Sequence, residues 1–216
     1  MKIVVLGASG GCGQQLVTLG RQRGHEVTAV VRSATWEPPT GVRVLRGDLT
    51  REPFLREAVR GQDVVMSALG LRLKGLAPWN KPERPDFLVA STAALLAAMK
   101  AEGVKRLLAI SAGGVGESLE KMPGAFRAMI AMTSLRRAYA ELAKMETAML
   151  TSDLDVCICR PSGLTDGPVT GNVKLTEGYT GRATISRADV AAWMLDQLSV
   201  PVFTDRTPMI SVTGVA

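Results

Sequence analysis

The feature that most constrains this chain is the run Leu6-Gly7-Ala8-Ser9-Gly10-Gly11-Cys12-Gly13, which follows the apolar segment 1–6 and opens a helical pattern over 11–23. Each glycine at this spacing answers a steric demand. Gly7 permits a tight turn, Gly10 leaves no Cβ between backbone and ligand, and Gly13 lets the helix approach the strand closely. The N–H groups and the positive dipole end at the helix start then attract phosphate. A glycine pattern alone would suit a purely structural turn. Its place between a strand and a helix instead predicts a dinucleotide held by its pyrophosphate.

Downstream, apolar runs and helical patterns alternate. Strands are expected over 26–31, 42–45, 63–68, 105–110 and 155–159, with an edge strand over 209–212. Helices are expected over 53–60 and 84–101, as a long helix within 123–150, and from Ser186 to about 198. Ser186 and Asp189 have capping-box spacing at that last start. The alternation predicts an α/β fold of the Rossmann type, a doubly wound and mostly parallel sheet with helices on both faces, forming a single domain over 1–216. The segments 70–85 and 162–182 are rich in Gly, Pro and Thr and read as mobile substrate-side loops at the edge where such loops carry function.

Specificity in such a fold is read at the end of the second strand, about twenty residues beyond the glycines. An Asp or Glu there would bind the ribose hydroxyls of NAD. This chain has Val30-Val31-Arg32-Ser33. Arg32 can pair with a 2′-phosphate, which favours NADP, although a solvated surface arginine is the plainer reading. Gly47-Asp48-Leu49 follows the third strand. Asp48 could accept from an adenine amino group while Leu49 covers the base, or Asp48 could cap the next turn.

Composition narrows the alternatives. With 46% hydrophobic and 21% charged residues, the chain is an ordinary globular one, and no apolar stretch is long enough to cross a bilayer. Without a basic start and cleavage site, a cytoplasmic location is expected. The net charge of +6 is spread along the chain without a dense basic run. It suits an anionic cofactor better than nucleic acid. Cys157 and Cys159 share a strand face and read as buried reduced thiols. The lone His25 sits near a turn, which argues against a histidine-based metal centre or a Ser–His triad.

The order of several motifs extends this reading. Gly7-x-x-Gly10-x-x-Gly13, Arg32, Gly47-Asp48-Leu49, Ser67-Ala68-Leu69-Gly70, Ile110-Ser111-Ala112, Arg160 to Asp166 and Ile185 to Ala191 follow one another along nearly the whole chain. In this the chain resembles the atypical short-chain dehydrogenase/reductase group of NAD(P)H-binding proteins, and within it the flavin reductase/biliverdin reductase B-like and NmrA-like branches. The resemblance implies that Gly7, Ala8, Ser9, Gly10, Gly11 and Cys12 surround the pyrophosphate. It also implies that Arg32 and Ser33 hold the 2′-phosphate, and that Asp48 and Leu49 meet the adenine. Ala68, Leu69 and Gly70 would line the nicotinamide-side ribose, and Pro161, Ser162, Gly163 and Leu164 would pass the nicotinamide. Ser111 falls where the group has its active-site serine; a turn-forming serine before Gly113-Gly114 is the other reading.

One departure bears on chemistry. Carbonyl-reducing members use a Tyr-x-x-x-Lys pair in which the lysine lowers the tyrosine pKa. Here Tyr139 is followed at that spacing by Ala143, and Lys144 is rotated by about 100° on a helix. Tyr179 has no such lysine either. Reduction of a flavin or quinone by NADPH, whose product takes its proton from water, fits this better than alcohol dehydrogenase chemistry. The alternatives are a non-catalytic redox-sensing protein of NmrA-like type with a protein partner, and an atypical epimerase or dehydratase.

Further clusters have plainer readings. Met122, Met129, Met132, Met145 and Met149 are expected to fill core, with a wall for a flat substrate as the rival reading. Arg136 and Arg137 with Glu141, and Lys144 with Glu146, read as a solvated helix face. Arg72, Lys74 and Lys81 read as solvated loop charges that could fold over an anion, and Trp79 as a candidate lid.

Overall fold

The computed structural model describes residues 1–71 and 73–215, so Arg72 lies outside the described residues. The first half runs β1 (Lys2–Leu6), α1 (Gly11–Gln22), β2 (Glu26–Val31), β3 (Arg43–Arg46), α2 (Glu52–Val59), β4 (Val64–Ser67), α3 (Phe87–Glu102) and β5 (Arg106–Ile110). A 3-10 turn over Gly116–Lys121 leads into α4 (Gly124–Met132), α5 (Leu135–Leu150) and β6 (Asp155–Pro161). The chain ends with β7 (Gly163–Thr165), β8 (Lys174–Thr176), β9 (Thr184–Ser186), α6 (Arg187–Asp196) and β10 (Met209–Ser211).

The main sheet has the order β3-β2-β1-β4-β5-β6-β10-β8. All its neighbours are parallel except β8 against β10. Side-chain alternation explains why both faces are covered. Ile3, Val5, Val64, Met66, Leu108 and Cys157 pack on α1 and α6, whereas Val4, Leu6, Val65, Leu107 and Val156 pack on α2, α3 and α5. This is the expected doubly wound Rossmann-type architecture.

Several local expectations needed correction. The helix expected from residue 84 begins at Phe87, because Pro85 disfavours helical backbone at Arg84 and Asp86 turns left-handed at φ 58°. The region 123–150 holds two helices. At the break, Thr133 Oγ1 accepts from Leu135 N at 3.3 Å and Ser134 Oγ donates to Gly75 O at 2.7 Å, so hydroxyls compete with the helical ladder. β10 is not an edge strand. The polar segment β8 pairs antiparallel along it and forms the edge, while β7 and β9 make a separate parallel pair, so the loop expected over 162–182 carries strands. Ser186 does cap α6, accepting from Asp189 N at 2.9 Å. The Asp189 carboxylate also accepts from Thr170 N and Gly171 N, at 2.8 and 3.1 Å.

The second half is also pinned by a buried ion cluster. Arg160, 2% exposed at the end of β6, pairs with buried Glu146 of α5 at 2.6 Å and with Glu117 of the 3-10 turn. Burial alone would disfavour the arginine cation, but the two carboxylates outweigh it and push its pKa up. Glu146 is therefore no part of a solvated face, as the sequence reading had it. Glu141 is not either: its side chain crosses to α3 and accepts from Leu88 N at 2.7 Å.

Removing one partner of a buried pair leaves an uncompensated charge. Arg160→Met is expected to lower unfolding free energy by about 3–5 kcal/mol in urea titration, with most of the loss recovered in the double variant Arg160→Met/Glu146→Leu. A single-variant loss below about 1 kcal/mol would contradict this account of the cluster.

Candidate functional site

The glycine turn has the sterics its spacing demands. Gly7 adopts φ +76°, and a Cβ there would stand 2.8 Å from Ala68 O. A Cβ on Gly13 would come within 2.2 Å of Gly7 O, so no other residue allows α1 to sit this close to β1. Gly10 is the N-cap of α1, and no side chain caps the first turn. The first-turn N–H groups are thus left for an outside acceptor. Ala8 is fully buried beneath the turn, and Arg187 lies over Gly11, where a Cβ would meet its Cδ at 2.5 Å. Arg187 in turn pairs with Asp166 at 2.7 Å. Cys12 is buried at the helix start, and burial pushes its thiol up to about 11 despite the nearby Arg187.

A groove continues from this turn over the carboxyl ends of β2 and β4. It is lined by Gly7, Ser9, Gly10, Arg32, Leu49, Ala68, Leu69 and Gly70, together with Phe87, which the sequence reading missed. Arg84, also missed, reaches the same ring: the guanidinium carbons of Arg32 and Arg84 lie 5.2 and 4.5 Å from the Phe87 centroid. Ser33 and Asp48 flank the groove without lining it. Ser33 Oγ accepts from Thr35 N at 3.3 Å. Asp48 Oδ1 accepts from Thr50 N at 3.0 Å, the turn-cap arrangement, and stands 3.6 Å from Arg84. The Thr50 hydrogen bonds, with Arg84 adding less, hold the Asp48 pKa below the usual range. The uncapped helix start and the cradle that Cβ atoms would fill fit a dinucleotide's pyrophosphate.

A second cavity of about 560 Å³ opens beyond the ends of β5 and β6. Pro161, Ser162, Gly163 and Leu164 form one wall. Met122, Phe126, Met129 and Tyr139 from the α4–α5 side form the other. Met122 and Met129 thus line a cavity, whereas Met145 and Met149 are core and Met132 is 67% exposed. Ser111 lies one residue before the wall. Its N–H donates to Cys159 O at 2.8 Å, while its buried Oγ has no partner among the described residues. The following turn is closed by Val115 N on Ala112 O at 3.3 Å, so the serine hydroxyl does not build it. A buried hydroxyl without a partner is costly.

Tyr139 and Lys144 face different places, as their spacing predicts. Tyr139 lines this cavity and donates to Gly113 O at 3.2 Å, and burial pushes its pKa up to about 12. Lys144 lines a separate surface cavity with Lys81, Arg137 and Glu141. Trp79 is 78% exposed and outside the apolar cavity's lining. Among the described residues no helix is long and apolar enough to cross a membrane.

A family model described as NAD(P)H-binding matches residues 7–201. Over 114 residues the chain is 36% identical to a 3-diazoavenalumate denitrifying reductase of a Streptomyces species, covering 51% of this chain and 38% of that protein. ChuY of Escherichia coli O157:H7, an anaerobillin reductase, superposes with a TM-score of 0.79 at 23% identity, over 97% of this chain and 96% of its own. A short-chain dehydrogenase/reductase of Veillonella parvula in complex with NADP gives 0.78 at 18% identity, over 97% and 93%. At such identities the structural likeness carries the fold alone. The chain spans about half or less of the length of the first curated relatives it matches.

The thiols are the simplest check on this geometry. Burial pushes Cys12 up to about 11, Cys157 up to about 12, and Cys159 well above the usual range. Iodoacetamide at pH 8 is therefore expected to leave the native protein unlabelled and to modify all 3 cysteines after unfolding, read by mass spectrometry. Rapid labelling of Cys12 in the native protein would contradict its burial.

Proposed function

The chain belongs to the NAD(P)H-binding family, and from that footing we propose that it is an NADPH-dependent reductase that passes hydride to a small planar acceptor such as a flavin or quinone. The observation that carries this reading is the position of the glycine-turn groove and the apolar cavity along the same edge of the sheet. Both lie at the carboxyl ends of neighbouring parallel strands, the place where open α/β sheets bind ligands. The groove residues Gly7, Ser9, Gly10, Arg32, Leu49, Ala68, Leu69 and Gly70 would hold the dinucleotide, with its reactive end toward Ser111 and Pro161 to Leu164. Bound there, the dinucleotide would supply a hydride, which with one solvent proton converts a quinone to its hydroquinone and leaves NADP oxidised. The protein's own task is to orient the two rings and exclude water from between them.

The Tyr139 side supports this choice of acceptor. A tyrosine held protonated by burial, with no lysine at its side, is a poor general base, so chemistry that needs one from the protein is disfavoured. Preference for NADPH is supported by Arg32 and Arg84, two cations set around one ring at the end of the groove. Among the described residues Arg32 forms no ion pair, which leaves it available to a 2′-phosphate.

The test is NADPH oxidation followed with a flavin and a simple quinone in turn. Protein-dependent turnover is expected, lost in Gly10→Val, and Arg32→Ala is expected to lower the NADPH-over-NADH ratio of kcat/KM by about tenfold or more. An unchanged ratio would remove Arg32 from the argument. NADPH that binds but is oxidised by no acceptor would replace the reductase with a regulatory dinucleotide-binding protein.

A further inference from the structure

The apolar cavity carries more information about its occupant than its position does. Its wall includes Met122, Phe126, Met129, Leu135, Tyr139 and Tyr179, and among the described residues no Asp, Glu, Lys or Arg lines it. The chain has 26 Lys and Arg residues and a net charge of +6, so their exclusion from this one wall is a property of the cavity and not of a cation-poor chain. The wall's polar groups are also largely occupied. Tyr139 donates to Gly113 O, Tyr179 donates to Arg160 O and Ile210 O, and the Ser162 and Ser211 hydroxyls pair at 2.7 Å. Three backbone donors of the wall are likewise taken: Gly113 N by Pro161 O, Gly163 N by Ala183 O, and Thr180 N by Gly214 O.

The nearest buried cation is not available either. Arg160 lies behind the wall, its guanidinium shared between Glu146 and Glu117, with Tyr179 closing over its carbonyl. A carboxylate, sulfonate or phosphate held among these side chains would give up water and meet no side-chain cation of the described residues, a cost of several kcal/mol. An uncharged aromatic ring meets the opposite case. Phe126 and Tyr139 stand edge to face at 6.4 Å and offer it aromatic contact, while the thioethers of Met122 and Met129 adapt to its outline. The volume is of ordinary small-ligand size.

We infer that this cavity takes an uncharged, flat, apolar ring and rejects the same ring carrying an acidic group, so that the acceptor is quinone-like and lacks a carboxylate on its ring system. The inference rests on the reductase reading for the word acceptor, but the selectivity belongs to the cavity itself. Ser111, whose buried hydroxyl has no partner among the described residues, precedes the wall residue Ala112 in sequence.

The test uses two molecules of one shape, anthraquinone-2-carboxamide and anthraquinone-2-carboxylate, titrated calorimetrically into the protein saturated with NADP in its oxidised form. The carboxamide is expected to bind at least tenfold tighter. Met129→Lys, which puts a cation on the half-buried rim, is expected to erase or invert that ratio. Equal or tighter binding of the carboxylate by the parent protein, no binding of the carboxamide, or a ratio that Met129→Lys leaves alone would each overturn the inference. NADPH oxidation run beside the titrations separates the two readings. Equal turnover of both acceptors would overturn the selectivity and keep the reductase, whereas selective binding without turnover of either would keep the selectivity and overturn the reductase.

Discussion

The structure depends first on a missing Cβ. With Gly13 pressed to the Gly7 carbonyl, α1 starts almost in contact with the strand it follows, and its first turn points across the sheet end instead of past it. The left-handed turn at Gly7 makes that reversal possible, and the buried Ala8 closes the space beneath. Gly20 repeats the economy further along α1, where a Cβ would stand 3.2 Å from Val27, and this lets α1 lie flat on the sheet beside α6. Close helix packing and a helix start open to an anion therefore come from one local arrangement, because the first-turn N–H groups of α1 have no side-chain cap.

Charge is distributed unevenly around the sheet end. The dinucleotide groove ends at two arginines on one phenylalanine ring, and the neighbouring cavity has none. The Arg160 cluster ties β6, α5 and the 3-10 turn together, and its cation is outside the cavity's lining. The cluster stabilises the wall only as a complete set, since either partner left alone would be a buried charge without compensation. In this way an ion pair supports an uncharged binding surface.

The parts of this design that were legible in the sequence are those with local causes. The glycine turn, the six parallel strands up to Cys159 and the Ser186 cap follow from spacing within a few residues, and the structure has them. Phe87 and Arg84 were not legible, because a ring at the start of α3 joins Arg32 only through the order of strands in the sheet. Glu141 and Glu146 sit among charged neighbours at helical spacing, so periodicity assigned them to solvent; their partners, Leu88 N and Arg160, come from other elements. The same holds for β8, whose short polar sequence becomes a strand only because β10 offers an edge. The Tyr139–Lys144 offset was legible because helix geometry alone rotates the two apart, and they do line different cavities.

A crystal structure grown with oxidised NADP would show whether a dinucleotide lies along the groove with its reactive end at the apolar cavity. The pyrophosphate is expected over Gly10 and the start of α1, the 2′-phosphate between Arg32 and Arg84, and the nicotinamide against the Pro161 to Leu164 wall near Ser111. A reversed dinucleotide with its adenine in the apolar cavity, or one bound away from the glycine turn, would contradict this placement.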